Sequence, residues 1–372
     1  VIISNTTTSF ATPMPIVRLM WKLLNRIGFK SGRILEPAAH IGRFMEGQPT
    51  KDRTQSEWVL VEPDTVAHKI GQKLHPDAIA QYNTRLEKSS LPENSFDLVI
   101  SNFPFNNTKP FDPNLETCYQ GLNIHNYFWI KSLKLLRKGG LICAITSTGT
   151  LDSNPKFLEN LAQTGANLIS AWRLPNDSFQ SENTAVTSDL IIIQKQDVKS
   201  ELPSWTKIRK TQRRTQVFEI NQYFINHSDH LIGTLTHSQL YGKESKKVAL
   251  SSVQTIEENI KIILSTAPST NYYETIQHPT SLKQLLTPLA ILQLNPYQYF
   301  LDNGEVYQKL PNQDTKRITE ETERIKDAIN LKQTLNQLIE LETTEEGTNE
   351  AIALKRNQLC EQYQQFKKKW GN

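Results

Sequence analysis

Behind Thr12-Pro13, apolar residues recur at Ile16, Met20, Leu23, Leu24 and Ile27 and stop at Gly28. This spacing predicts an amphipathic helix with Thr12 as its capping side chain and Pro13 in the first turn, where a missing N–H does no harm. Short continuous apolar runs then alternate with helix-length gaps: Ile34-Leu35, Trp58 to Val61, Phe96 to Ile100, Leu141 to Ile145, Ala166 to Trp172 and Leu190 to Ile193. Strands that are apolar on both faces and separated by amphipathic segments belong to a parallel sheet covered by helices on both sides. The expected fold of residues 1–196 is therefore α/β, a doubly wound, Rossmann-like, mostly parallel sheet.

The pattern changes after Gln194. A polar stretch carries the cations Lys207, Arg209, Lys210, Arg213 and Arg214, and periodicity stays weak to about residue 295. Tyr297 to Asp302 and Glu305 to Leu310 flank Asn303-Gly304, a pair suited to the positive φ angles of a tight hairpin turn. Helical spacing then returns through Ile318, Ile325, Ile329 and Leu335 or Leu338, breaks at Thr343 to Asn349, and resumes through Leu354, Leu359, Tyr363, Phe366 and Trp370. The organisation expected is a core over 1–196, a mixed region over 197–312 ending in a β-hairpin, and a C-terminal helical hairpin over 313–372.

Composition narrows the function classes. The chain has 372 residues, 37% hydrophobic and 22% charged. No apolar run approaches the roughly 20 residues of a membrane span, and no charged-then-apolar leader follows Val1. Cys118, Cys143 and Cys360 form no Cys-x-x-Cys pair, and the eight histidines show no ligand spacing. A disulfide framework and a metal site are not expected, and a cytoplasmic setting fits best. The net charge of +4 permits an anionic partner without arguing for one.

Two strand ends carry candidate chemistry. The run Ile34 to Phe44 ends a strand in the acid Glu36 and turns through Gly42 towards a helix, which is where such sheets hold nucleotide-like ligands. Ala38 and Ala39 let backbone approach a ligand, and an acid there can hold a cationic amino group. Glu62, ending the next strand, can accept hydrogen bonds from both hydroxyls of a ribose. The strand Phe96 to Ile100 runs into Ser101-Asn102-Phe103-Pro104-Phe105. The lone pair of an exocyclic amine is delocalised into its ring. Two acceptors aimed at its hydrogens, the Asn102 side-chain oxygen and the Phe103 carbonyl, would pull the nitrogen towards tetrahedral geometry and free that pair. Pro104 stiffens the loop, and Phe105 offers a face for an extruded base.

The order FATP (Phe10 to Pro13), EPAAHIG (Glu36 to Gly42) and SNFPF (Ser101 to Phe105) resembles the N6-adenine DNA methyltransferases, in particular those of phages and other mobile elements, often joined to a helicase. Asn123 to Asp152, Arg173 to Pro175, Phe179, Thr184 to Ile193 and Ile220 to Gly242 extend the likeness, which is most specific between Phe10 and Asp189. The resemblance implies a class I methyltransferase fold, S-adenosylmethionine as methyl donor, DNA as substrate and a restriction-modification setting. It implies Thr12 and Pro13 at the cofactor's methionine end, with Glu36, Pro37, Ala38 and Gly42 around it. Glu62 would hold the ribose, Glu87 would lie near the cofactor's adenine, and Asn102, Phe103, Pro104 and Phe105 would form the catalytic loop.

This sequence departs from the family at two positions. His40 stands where glycine is usual, and Phe103 stands where the commonest catalytic motif has a proline. Two alternative functions follow: a decayed, non-catalytic DNA-binding or assembly module, and an amino-methyltransferase acting on RNA or on protein glutamine. Lys207, Arg209, Lys210, Arg213 and Arg214 are the candidate phosphate contacts, with Lys367 to Lys369 next. Asn123, His125 and Asn126 are expected to cap or to bond within the core, and Asp189 to be structural.

Overall fold

The computed structural model describes residues 12–89, 91–105, 108–176, 178–179, 187–198, 200–213, 216–240, 243–283, 285–286, 297–302, 305–310, 315–343 and 348–371. Phe10, Ala11, Thr184 to Val186, Arg214 and the Asn303-Gly304 turn, all singled out above, lie outside them. Two compact units emerge, Val1–Leu285 and Leu286–Asn372.

The first unit is built on strands β1 (Arg33–Glu36), β2 (Glu57–Val61), β3 (Ala80–Tyr82), β4 (Phe96–Asn102), β5 (Leu136–Ser147), β6 (Ala166–Leu174) and β7 (Ser188–Lys195). They form one sheet in the order β3-β2-β1-β4-β5-β7-β6. Only β7 runs against its neighbours, β5 and β6; the remaining pairings are parallel. The expected class I methyltransferase fold, a mostly parallel doubly wound sheet, is what the chain adopts. The helices are α1 (Met14–Arg26), α2 (Arg43–Gly47), α3 (Thr50–Arg53), α4 (Thr65–Leu74), α5 (Ile124–Leu135), α6 (Gly149–Asp152), α7 (Pro155–Gln163), α8 (Gln222–Asn226) and α9 (Ile256–Thr266).

Burial on both faces explains why the strands read as continuous apolar runs. Ile16, Met20, Leu23 and Leu24 of α1, with Ile27 at its C-cap, share one core with Ile34, Trp58, Leu60, Leu98, Ile100, Cys143 and Ile192. The alternate residues Leu35, Val59, Val61, Val99, Ile142, Ala144 and Ile193 point to the opposite face and are equally buried. Two local expectations are corrected. Pro13, with φ −57° and ψ 137°, occupies the N-cap position of α1 and has no side-chain acceptor to cap the helix. Thr12 sits one residue too early, and its carbonyl instead accepts from Arg43 Nη1 at 3.0 Å. Strand β3 was not anticipated: Ala80-Gln81-Tyr82 is a short, half-buried edge with no apolar run to announce it.

Asp189 is structural, as expected. Arg173 on β6 is fully buried and makes a bidentate pair with Asp189 on β7 at 2.8 and 2.9 Å. It also reaches Asp152 at the end of α6 at 2.6 Å. Burial works against the guanidinium charge, yet the two carboxylates outweigh it and hold its pKa above the ordinary value. Asp152 in turn accepts from the Asn221 backbone N–H at 2.9 Å, tying later chain to the core.

Beyond the sheet lie two hairpins, β8 (Ile208–Arg213) with β9 (Gln216–Asn221) and β10 (Thr234–Leu240) with β11 (Lys243–Ser251). Residues 256–283 pack back on the core. Ile263 of α9 joins the α1 cluster, Trp172 Nε1 donates to Thr266 at 2.9 Å, and Tyr273 lies edge-on to Phe29 at 4.8 Å. At the amino end of β4, the Asp97 carboxylate accepts from the Arg33 N–H, Arg137 and His278 at 2.8, 2.5 and 2.8 Å. Those three donors overcome the burial that would raise the Asp97 pKa and hold it below the ordinary value.

The second unit contains β12 (Tyr299–Asp302), β13 (Glu305–Lys309) and β14 (Thr315–Arg317) in one antiparallel sheet, followed by α10 (Thr322–Thr343) and α11 (Asn349–Trp370). Asp327 receives Trp370 Nε1 at 2.8 Å and Glu342 receives Arg356 at 2.7 Å, so the two helices form an antiparallel hairpin. Among the described residues, no helix is long and apolar enough to cross a membrane.

Candidate active site

The carboxyl ends of β1, β2 and β4 bring the predicted residues together. Glu36 on β1 pairs with Leu60 on β2, and Leu35 pairs with Val99 on β4. Glu62 and Asn102 therefore each lie two residues past the level of Glu36, one on either side of it. With neighbouring strands about 4.8 Å apart, they flank the β1 tip across roughly 10 Å. The chain leaves β1 towards β2 on one side, while β4 lies on the other. This is the switch point at which open α/β sheets carry their crevice.

The loop between β1 and α2 is held by two carboxylates. Glu36 is 1% exposed, and the backbone N–H groups of Phe44 and Met45 donate to it. One acid thus serves the free donors at the start of α2, whose N-cap position is Gly42. Among the described residues, Glu36 Oε2 has no partner. Burial pushes its pKa well above the ordinary carboxylate value, against those two hydrogen bonds. Glu62 accepts from the His40 N–H at 2.7 Å and the Asp64 N–H at 2.8 Å, bracing the β1 loop against the β2 loop. Burial raises its pKa too, and the two N–H donors oppose the rise.

Two positive φ angles shape this loop: 50° at His40 and 82° at Gly42. Gly42 is required twice over, because a Cβ there would also lie 2.4 Å from His75 Cδ2. His75 Nε2 itself meets the Ile41 carbonyl at 3.0 Å. His75 was not singled out from the sequence; a lone histidine at the end of α4 gives no local signal. Thr12 reaches the site through Arg43, the residue after Gly42. Glu87 lies in the 3₁₀ turn Leu86–Lys88; burial first, then the Asp112 carboxylate and last the Glu87 charge, hold the pKa of Tyr127 on α5 above its ordinary value.

Asn102 ends β4 opposite Ile145 of β5, and the Phe103 N–H donates to the Ile145 carbonyl at 2.9 Å. The Phe103 side chain is buried against Phe128 and Trp129 of α5, with ring centroids 5.4 and 5.0 Å away. Where a proline would lock φ, this chain anchors an aromatic side chain in the core. Pro104 and Phe105 are half-buried. Asn123 occupies the N-cap position of α5 without a side-chain cap bond, and Asn126 is buried one turn on.

Of the cationic stretch, Arg209, Lys210 and Arg213 fall on β8, Lys207 just precedes it, and Arg214 lies outside the described residues. Consecutive strand residues project to opposite faces, so Arg209 and Lys210 diverge, and Lys210 meets Glu219 at 3.6 Å. Lys207 and Arg209 are exposed.

This class I methyltransferase fold, with acids at two strand tips and an Asn-Phe-Pro-Phe loop at a third, is the setting for the comparisons with known proteins. The chain is 30% identical over 199 residues to the defense against restriction protein B of Escherichia phage P1, a match covering 52% of this chain and 8% of that protein. The expected likeness to proteins of phages and other mobile elements is thus borne out. Among solved structures, it is similar to the type I restriction-modification methyltransferase subunit of Streptococcus thermophilus, with 14% identity, a TM-score of 0.44 and coverage of 60% of this chain and 58% of that one. It is also similar to the type I restriction enzyme EcoKI M protein, with 14% identity, a TM-score of 0.36 and coverage of 50% and 44%. No protein-family model matches the chain.

Proposed function

We propose that this chain transfers a methyl group from S-adenosylmethionine to the exocyclic amine of adenine in DNA. One observation carries the reading: Asn102-Phe103-Pro104-Phe105 ends β4 beside the tip of β1, at the switch point of the sheet. The residues present fit the cofactor. Glu36 offers a buried carboxylate oxygen without a partner among the described residues, which the ammonium of a methionine moiety would satisfy. Thr12, Pro13, Pro37, Ala38 and Gly42 wall that end. Each Glu62 oxygen retains accepting capacity for a ribose hydroxyl beside its backbone bond, and Glu87 serves the adenine end. The cofactor, when bound, supplies an electrophilic methyl on a sulfonium.

The chain's own work is on the target amine. The Asn102 side-chain oxygen and the Phe103 carbonyl accept from its two hydrogens and direct its lone pair out of the ring plane. The Phe105 ring stacks on the extruded base. Of the five expected phosphate contacts, the exposed Lys207 and Arg209 take that role, and target recognition lies within residues 197–312.

His40 motivates a second reading, a cofactor-free DNA-binding or assembly module, because its side chain stands in a left-handed corner of the cofactor loop. One experiment separates the two. Wild type and Asn102→Ala are titrated with S-adenosylmethionine by calorimetry and assayed with labelled cofactor on mixed-sequence duplex, the product being resolved by nucleoside analysis. The proposal expects micromolar binding by both proteins, label in N6-methyladenine, and a fall of about 10²–10³-fold in transfer by the variant. Absence of binding by wild type supports the second reading. Undiminished transfer by Asn102→Ala removes the assigned chemistry.

A further inference from the structure

Six residues beyond Phe105, Phe111 leaves its aromatic side chain 73% exposed. Its neighbours do the opposite. Pro110 is buried, and Asp112 is 0% exposed. The Asp112 carboxylate accepts from Tyr127 Oη at 2.9 Å, Lys131 Nζ at 2.8 Å and the Asn114 N–H at 3.0 Å, while its carbonyl accepts from Gln120 Nε2 at 2.6 Å. A segment clamped this tightly holds the residue beside the clamp in a fixed outward position.

The clamp belongs to the same part of the molecule as the catalytic loop. Tyr127 and Lys131 hold Asp112, and Phe128 and Trp129 hold Phe103. All four anchors fall within about 6 Å along the α5 axis, at 1.5 Å per residue. Exposed Lys109 adds a cation two residues from the ring.

We infer that Phe111 is a wedge that enters the DNA stack and fills the gap left by the extruded adenine. This rests on the adenine reading above. Extruding a base exposes the faces of its neighbours, and an apolar ring at that gap replaces the lost stacking. A ring held out in advance loses little conformational freedom on insertion, which is what the Asp112 clamp provides. Phe111 therefore favours the extruded state of a duplex and contributes little where no stack has to be opened.

The test uses the full chain and three DNAs bearing a target sequence first mapped on wild-type-methylated DNA: a matched duplex, the same duplex with an abasic site opposite the target adenine, and the single strand. Methyl transfer is followed for wild type, Phe111→Ala and Phe111→Trp, and 2-aminopurine fluorescence at the target position reports extrusion. Phe111→Ala should lower kcat/KM on the matched duplex by about 5- to 100-fold, the range spanned by loss of one base-stacking contact. It should also reduce the 2-aminopurine signal, and the loss should shrink to under about 3-fold on the abasic duplex and single strand. Phe111→Trp should retain most duplex activity. Equal losses on all three DNAs, or no loss on the duplex, overturn the wedge while leaving adenine methylation standing. A wild type that places no methyl group on adenine in the mapping step overturns the adenine reading and the wedge with it.

Discussion

Glu36→Gln separates the structural from the chemical work of the buried acid in the β1 loop. In the wild type, burial keeps the Glu36 carboxyl protonated to higher pH than in the unfolded chain, although Phe44 and Met45 donate to it. The sign follows from linkage. The folded state binds more protons between the ordinary value of 4.5 and the raised one, so this group's contribution to stability is greatest near or below 4.5 and declines as pH rises through that window. Glutamine stays neutral and keeps an oxygen for the α2 donors. The variant should therefore match wild type in acid and equal or exceed its melting temperature at about pH 8 in the absence of ligand.

Cofactor affinity should move the other way. A charge-assisted hydrogen bond to an ammonium is worth about 1.5–3 kcal/mol, so loss of the charge should weaken the Kd for S-adenosylmethionine by about 10- to 100-fold. Melting curves across pH, with calorimetry in two buffers of different ionisation enthalpy, read both effects. Between pH 4.5 and its raised pKa, where free Glu36 holds its proton, wild type should release a proton on binding and the variant should not. A Glu36→Gln protein that is less stable at about pH 8 yet binds S-adenosylmethionine as wild type does would refute the reasoning, since the acid would then be only a helix cap.

Two further substitutions probe the frame. Gly42→Ala places a Cβ 2.4 Å from the His75 ring at φ 82°; the backbone strain alone costs about 1–2 kcal/mol, so denaturant titration should show at least that loss and calorimetry a weaker cofactor Kd. Asp189→Asn leaves the fully buried Arg173 guanidinium short of a counter-charge. A loss of about 3–5 kcal/mol is expected, near 2–4 °C in Tm per kcal/mol for a unit of this size, and a loss below about 1 kcal/mol would show that Asp152 alone suffices.

What could be read from the chain follows from where the physical signal lies. Strands β1, β2, β4, β5 and β7 are buried on both faces, so each left a continuous apolar run, and the acids Glu36 and Glu62 ended two of them in plain view. Edge strand β3 is buried on neither face and left none. The return of residues 256–283 to the core depends on pairs such as Asp97 with His278 and Arg137 with the Glu274 carbonyl, which are far apart in sequence and carry no periodicity. The clustering of Arg209 and Lys210 in sequence suggested one patch, but a period of two sends neighbours to opposite faces once they lie in a strand. Thr12 had the right chemistry for a cap and the wrong register.

His40 is the departure that most resembles decay, and its surroundings offset the strain. A non-glycine residue at φ 50° costs about 1–2 kcal/mol, and histidine tolerates that region better than most. Its N–H donates to the Glu62 carboxylate at 2.7 Å, a charge-assisted bond worth about 1.5–3 kcal/mol. That balance holds the corner in the left-handed conformation without a glycine. The same carboxylate is the one proposed to hold the ribose, so the group that stabilises the unusual corner also belongs to the ligand's side of the loop. Replacing Glu62 would then disturb loop and ligand together, whereas replacing His40 by glycine would remove only strain.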